Sequence, residues 1–139
     1  MEFALLLPFL ALLAFGTVDF GRVYTLQHRL ANAAREGAAF AQYFPAQVAN
    51  TGVCADPDNI RYHALSEDSG VTAGFTVTVT NVTTGVALSN TSCATSGIAA
   101  GTRIRVTVSS TFIPLTVVAK RFVSSPMTIK RSAEVVVQG

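Results

Sequence analysis

The chain has 139 residues, half of them hydrophobic and only 13 % charged, where a soluble globular protein carries about a quarter charged residues. That length leaves room for one small globular domain beside a long helix and excludes a second domain. A net charge of +2, with dispersed basic residues and only the pairs Lys120, Arg121 and Lys130, Arg131 standing together, makes no electrostatic case for nucleic acid, and none is expected as a partner.

Residues 3–18 are sixteen consecutive uncharged positions, nearly all apolar, bounded by Glu2 and Asp19. At 1.5 Å per residue they span about 24 Å as a helix, a marginal length against a hydrocarbon core of about 30 Å. Two rivals to a membrane or filament helix stand beside it. A secretory signal is suggested by the small-x-small triplet Ala14, Phe15, Gly16, but an acid and no basic residue precedes the apolar run. An ordinary buried helix would need more protein around it than about 95 further residues supply. Pro8, inside the run, is expected to kink or locally unwind the helix.

The helix continues past Asp19. Val23, Leu26, Leu30, Ala33, Gly37, Phe40 and Phe44 recur at steps of three and four and lay one narrow stripe along a helix, which Pro45 ends. Arg22, Gln27, Arg29, Asn32, Arg35 and Glu36 occupy the opposite face. The predicted organisation is therefore a helix over 1–44, apolar and then amphipathic, and a β-rich domain over 45–139.

Beyond Pro45, Asp56 and Pro57 suggest the cap and first turn of a short helix whose apolar side is Ile60, Ala64 and Leu65. Period-two alternation then predicts a strand over 75–80, a weaker one over 86–89, a long one from 104 to 112 that Pro114 ends, and a closing strand over 129–137. Residues 81–102 read as an exposed loop and 115–122 as irregular or helical. One-sided alternation implies an antiparallel sheet covered on one face, and the lower half of the long helix is the cover it predicts. The fold class is α+β, a long helix packed on a small antiparallel sheet.

Cys54 and Cys93 would, if bridged, close a loop of about 40 residues worth roughly 3–4 kcal/mol in the chain-entropy model. Free thiols are the alternative, and the bridged form requires an oxidising compartment. Catalysis finds no constellation: His28 and His63 have no acid or nucleophile at a recognisable spacing and read as surface histidines, so no enzyme is expected. Asp56, Asp58 and Asn59 resemble the start of a calcium loop with Glu67 at the twelfth place, but the sixth place holds no glycine and helix capping explains the same residues. Asn81-Val82-Thr83 and Asn90-Thr91-Ser92 match glycosylation acceptors.

Glu2, Phe3, Ala4, Leu5 with Leu7 and Pro8, then Phe15 and Gly16, then Asp19 to Arg22, and finally Asn32 to Ala38 resemble the N-terminal signature of TadE-like proteins, the pilin-like proteins of bacterial tight-adherence systems. The later strands match that family in order and type more than in identity. The resemblance implies a prepilin-like precursor cut at the inner membrane, whose helix then packs in a filament core on the cell surface with copies of itself or related pilins, served by pilus assembly machinery and needing no cofactor. It assigns assembly to Glu2, Phe3, Leu7, Pro8, Phe15 and Gly16. A non-polymerising, membrane-anchored binding or assembly-initiating component is the other reading.

Glu2 departs from the pilin pattern, where the acid lies several residues into the helix: either residues are missing upstream or processing differs. A carboxylate among packed apolar helices needs a cation, such as a neighbouring subunit's amino terminus, or else snorkels to the interface. Arg22, Arg29 and Arg35 would by the positive-inside rule hold the domain in the cytoplasm, and a lost basic leader would reverse that count.

Overall fold

The computed structural model describes residues 2–45, 59–66, 74–88, 98–116 and 126–138, with the backbone alone for 2–5. In chain order the elements are α1 (Glu2–Tyr43), α2 (Ile60–Ser66), β1 (Phe75–Asn81), β2 (Ala87–Leu88), β3 (Arg103–Phe112) and β4 (Met127–Val136). The fold is α+β, with the long N-terminal helix packed on a small four-stranded antiparallel sheet.

The 42 residues of α1 form one helix about 63 Å long. Helical backbone runs through Pro8 without interruption, so the unwinding expected there does not occur. A proline in the second turn removes only one helix hydrogen bond, and the turns on either side hold.

The sheet has the order β2-β1-β3-β4, every neighbour antiparallel. Register runs from Phe75↔Ser110 to Asn81↔Ile104 between β1 and β3, and from Arg103↔Val136 to Phe112↔Met127 between β3 and β4. Strand alternation then places Phe75, Val79, Ile104, Val106, Val108, Phe112 and Ile129 together on one buried face. Thr76, Thr78, Arg105, Thr111, Lys130 and Glu134 stand exposed on the other. There Arg105 Nε and Nη2 both donate to Glu134 Oε1, at 2.8 and 2.6 Å, from a directly opposed register position. Both side chains are nearly half exposed, which limits such a pair to less than about 1 kcal/mol.

The buried face meets α1 along Leu30, Ala33, Ala34, Gly37, Ala38 and Ala41. Relative to the predicted stripe, contact shifts onto Ala34, Ala38 and Ala41, while Phe40 is half-buried and Phe44 is 45 % exposed. Small side chains let the helix axis approach the sheet, and the bulky phenyls are left at the margin. At Gly37 the approach is tightest: a Cβ there would lie 3.0 Å from Ala64 Cβ, 3.1 Å from Val106 Cγ1 and 3.3 Å from Ile60 O. Gln138 N donates to Gln42 O at 2.9 Å and so ties β4's continuation to the last turn of α1.

Several expectations are corrected. The cap of α2 is Asn59, whose Oδ1 accepts from Tyr62 N at 2.8 Å, rather than Asp56. That bond accounts for Asn59 as a cap; the other candidate calcium-loop residues lie outside the described residues. Residues 81–102 are not all exposed loop, because β2 pairs with β1 and both Leu88 and Ile98 pack on the core. Asn81, read as a glycosylation acceptor, is half-buried and its Oδ1 accepts from Thr83 N and Thr84 N, organising the turn that Gly85 completes at φ +71°. His63 is half-buried, stacked 4.2 Å from the Phe40 ring. Lys130 and Arg131 do not act as a pair: alternation sends Lys130 to the open face and Arg131 to the helix side, where Nη2 donates to Gln27 Oε1 at 2.6 Å.

Cys54 and Cys93 lie outside the described residues. Asp56, Pro57, Asp58, Glu67, Asn90, Lys120 and Arg121 also lie outside them.

Gly37→Val is expected to lower stability by about 1–3 kcal/mol through overpacking, whereas Gly21→Ala, with nothing within 4 Å of the added methyl, should leave it unchanged or slightly higher. Urea denaturation of both variants in detergent, followed by circular dichroism, measures the difference.

Candidate membrane and assembly interface

Residues 6–18 of α1 project beyond the sheet. Apart from half-covered Ala11 all are exposed, including Leu7 at 68 % and Phe15 at 58 %. Pro8 and Gly16 lie on the same bare segment, and a Cβ at Gly16 would meet nothing within 4 Å. Glu2 and Phe3 continue the helical backbone, and their side chains lie outside those described. Four of the expected assembly residues are thus brought onto one uncovered apolar surface. The helix from Leu6 to Tyr43 is long and apolar enough to cross a membrane.

Where the bare segment ends, a carboxylate fixes the helix to the sheet. Asp19, the first residue past the apolar run, is only 7 % exposed. Its Oδ1 accepts from Leu115 N at 3.0 Å, and its Oδ2 accepts from Thr116 N at 3.1 Å and from Thr116 Oγ1 at 2.5 Å. Buried Pro114 ends β3 and turns the chain so that the next two N–H groups point at one carboxylate. Arg22 Nη1 stands 3.5 Å from Oδ1, and its guanidinium lies 5.4 Å from the Phe112 ring centroid. The Thr116 hydroxyl first, then the Leu115 and Thr116 amides and Arg22, hold the Asp19 carboxyl below the ordinary carboxylate range, against the opposing effect of burial. Ile113 and Leu115 remain exposed beside this joint, next to exposed Val18 and Phe20.

Two hollows flank α1 above the joint. A groove of about 630 Å³ runs between residues 17–29 of the helix and the ends of β1 and β3, with Arg22, Arg29, Phe75, Ser110 and Phe112 among its walls. A smaller cleft of about 250 Å³ lies between α1 and β4, with His28, Asn32, Arg35 and Arg131 around it. Among the described residues no three His, Cys, Asp or Glu side chains are grouped to hold a metal ion.

The matched sequence is the same helix that carries this geometry. Residues 1–39 match the TadE-like protein family. The match covers the bare segment, Asp19 and most of the docked half, and does not reach the strands. No curated protein and no solved structure matches the chain. TadE-like proteins are pilus-associated and structural, and an N-terminal apolar helix is consistent with a membrane or surface location.

Asp19 stands in the sequence as the end of the apolar run and as part of the family signature, and neither reading assigns it a docking role. The available signal was a lone acid opening Asp19-Phe20-Gly21-Arg22, far in sequence from a Pro-Leu-Thr strand end that supplies the donors. Arg131 was missed because its inward position breaks the apolar alternation of Ile129, Ala133 and Val135.

Because its folded pKa is depressed, Asp19 stabilises the joint above the unfolded carboxylate value near 3.8, and that contribution is lost as pH falls through the lower folded value. The protection of the Leu115 and Thr116 amides, measured relative to their intrinsic exchange rate at each pH, should therefore hold at pH 5 and fall below pH 4. Asp19→Ala should raise both rates about tenfold or more at neutral pH, since the two donors lose a charged acceptor.

Proposed function

We propose that the chain is a structural subunit of a bacterial surface filament, a TadE-like pilin or pseudopilin that polymerises through its N-terminal helix and carries the sheet outward. In this reading residues 1–44 are the assembly helix, 45–139 the outward domain, and Glu2, Phe3, Leu7, Pro8, Phe15 and Gly16 lie at contacts with neighbouring helices. Its partners are copies of itself or related pilins, the inner membrane before assembly, and the pilus assembly machinery. No cofactor or catalytic step is required of it.

The observation that carries this reading is the split in one continuous helix. Its lower half is clothed by its own sheet, while residues 6–18 present large apolar side chains on every side. Fully covering a Leu or Phe is worth about 1.5–3 kcal/mol, so even the half-exposed row from Leu6 to Val18 favours cover by on the order of 10 kcal/mol in total. That is comparable with the whole stability of a small domain. Lipid supplies such cover before assembly, and packed helices supply it afterwards. The match to TadE-like proteins over these same residues supports the filament as the destination.

Negative-stain microscopy of material sheared from the cell surface, with mass identification, tests the reading. Filaments containing this chain are expected. Its confinement to the membrane fraction, absent from every filament, would overturn the proposal in favour of an anchored component that does not polymerise. Phe15→Asp should reduce incorporation about tenfold, because a carboxylate inside an apolar run costs up to roughly 2.5–3.5 kcal/mol on insertion scales, and less toward the end of the run where Phe15 stands.

A further inference from the structure

Polymerisation through the bare segment leaves the groove beside Arg22 without a role. At about 630 Å³ it has the volume of a small-molecule site, and its walls combine the Phe75 and Phe112 rings with Arg22, Arg29 and the Ser110 hydroxyl. Val18, Arg22, Thr25 and Arg29 recur at steps of four and three and therefore share one helix face. Continued backward, the same face passes Ala14, Ala11 and Leu7. One track thus runs from a low apolar furrow on the bare segment into a cationic groove.

Depth agrees with chemistry. Arg22 lies about 6 Å beyond Val18 along the axis, which sets its guanidinium at headgroup level when residues 3–18 occupy the hydrocarbon. Asp19 does not consume that guanidinium. Its two oxygens already accept three donors from Leu115 and Thr116, and Arg22, at 3.5 Å with a side chain 44 % exposed, retains N–H groups on the groove. A tetrahedral phosphate diester with apolar tails fits this arrangement: arginine for the phosphate, a hydroxyl beside it, and an alanine furrow for an acyl chain.

We propose that this groove seats the phosphate of one anionic phospholipid, with an acyl chain lying along Ala14, Ala11 and Leu7. The proposal rests on the membrane-inserted stage of the function above and is independent of polymerisation. A lipid held there covers part of the bare segment while the subunit waits in the membrane.

The test uses the full chain reconstituted into vesicles of equimolar phosphatidylglycerol and phosphatidylcholine. Flotation reports insertion, and native mass spectrometry after release into mild detergent counts retained lipids. One phosphatidylglycerol per chain is expected, favoured over phosphatidylcholine by about fivefold or more, the effect of an arginine near an anionic surface. The preference should vanish in Arg22→Gln/Arg29→Gln and in Ser110→Trp, which fills the groove and leaves both arginines in place. An unchanged far-ultraviolet circular dichroism spectrum certifies the fold of each variant, independently of the Asp19 joint that Arg22 adjoins. A chain that floats but retains both lipids equally, or variants that keep the wild-type preference, would overturn the proposal. Displacement of the bound lipid by inorganic phosphate at equal concentration would overturn the lipid assignment in favour of free phosphate. Failure to float would overturn this inference together with the membrane stage of the proposed function.

Discussion

A helix of about 63 Å is set against a sheet that reaches only half as far. The two long strands have ten residues each, about 33 Å of extended chain, and the docked stretch of α1 from Val23 to Tyr43 has nearly the same length as a helix, about 32 Å. Nothing in the described part of the chain covers what remains. The exposure of residues 6–18 therefore follows from element lengths, and it would persist whatever the details of the joint.

Side-chain choice follows the same division. Where α1 must lie against β-strands, it carries Ala33, Ala34, Gly37, Ala38 and Ala41, and the close approach buries Val106, Val108 and Ile104 completely. Where it leaves the sheet, it carries Leu, Phe and Val, whose value lies in contacts made with something else. An alanine-rich segment would dissolve more readily as a monomer, and a leucine-rich docked half would hold the sheet too far away for α2 to close over Gly37. The two halves are suited to two different neighbours, one within the chain and one outside it.

Much of this arrangement was legible in the sequence, because both signals are periodic. A three-four stripe ending at Pro45 and the strict alternation of Thr with Val in β1 can be read without tertiary information. The choice among adjacent helix rows could not, since spacing alone admits both the Phe40, Phe44 row and the Ala34, Ala38, Ala41 row. Sheet packing decided for the smaller residues. Asn59 displaced Asp56 as the cap because several polar residues precede Ile60, and the local sequence does not rank them. The contacts between Asp19 and Thr116 and between Gln27 and Arg131 join residues about a hundred positions apart, and no local pattern encodes such pairs.

The joint at Asp19 explains why the border between the two halves is polar. An apolar contact at that level would compete with lipid tails and with other apolar helices, either of which replaces it at little cost, and the sheet could lift away from the helix. A carboxylate that accepts two backbone N–H groups and a hydroxyl has no substitute in hydrocarbon, where each donor left behind would stay unpaired. At the border of the bare segment the position of the sheet along α1 is thus registered by Asp19, placed immediately after the last apolar residue. In the proposed filament, exchange of lipid for helix around residues 6–18 would then leave the packed half undisturbed, because the interactions on the two sides of Asp19 do not compete for the same partners.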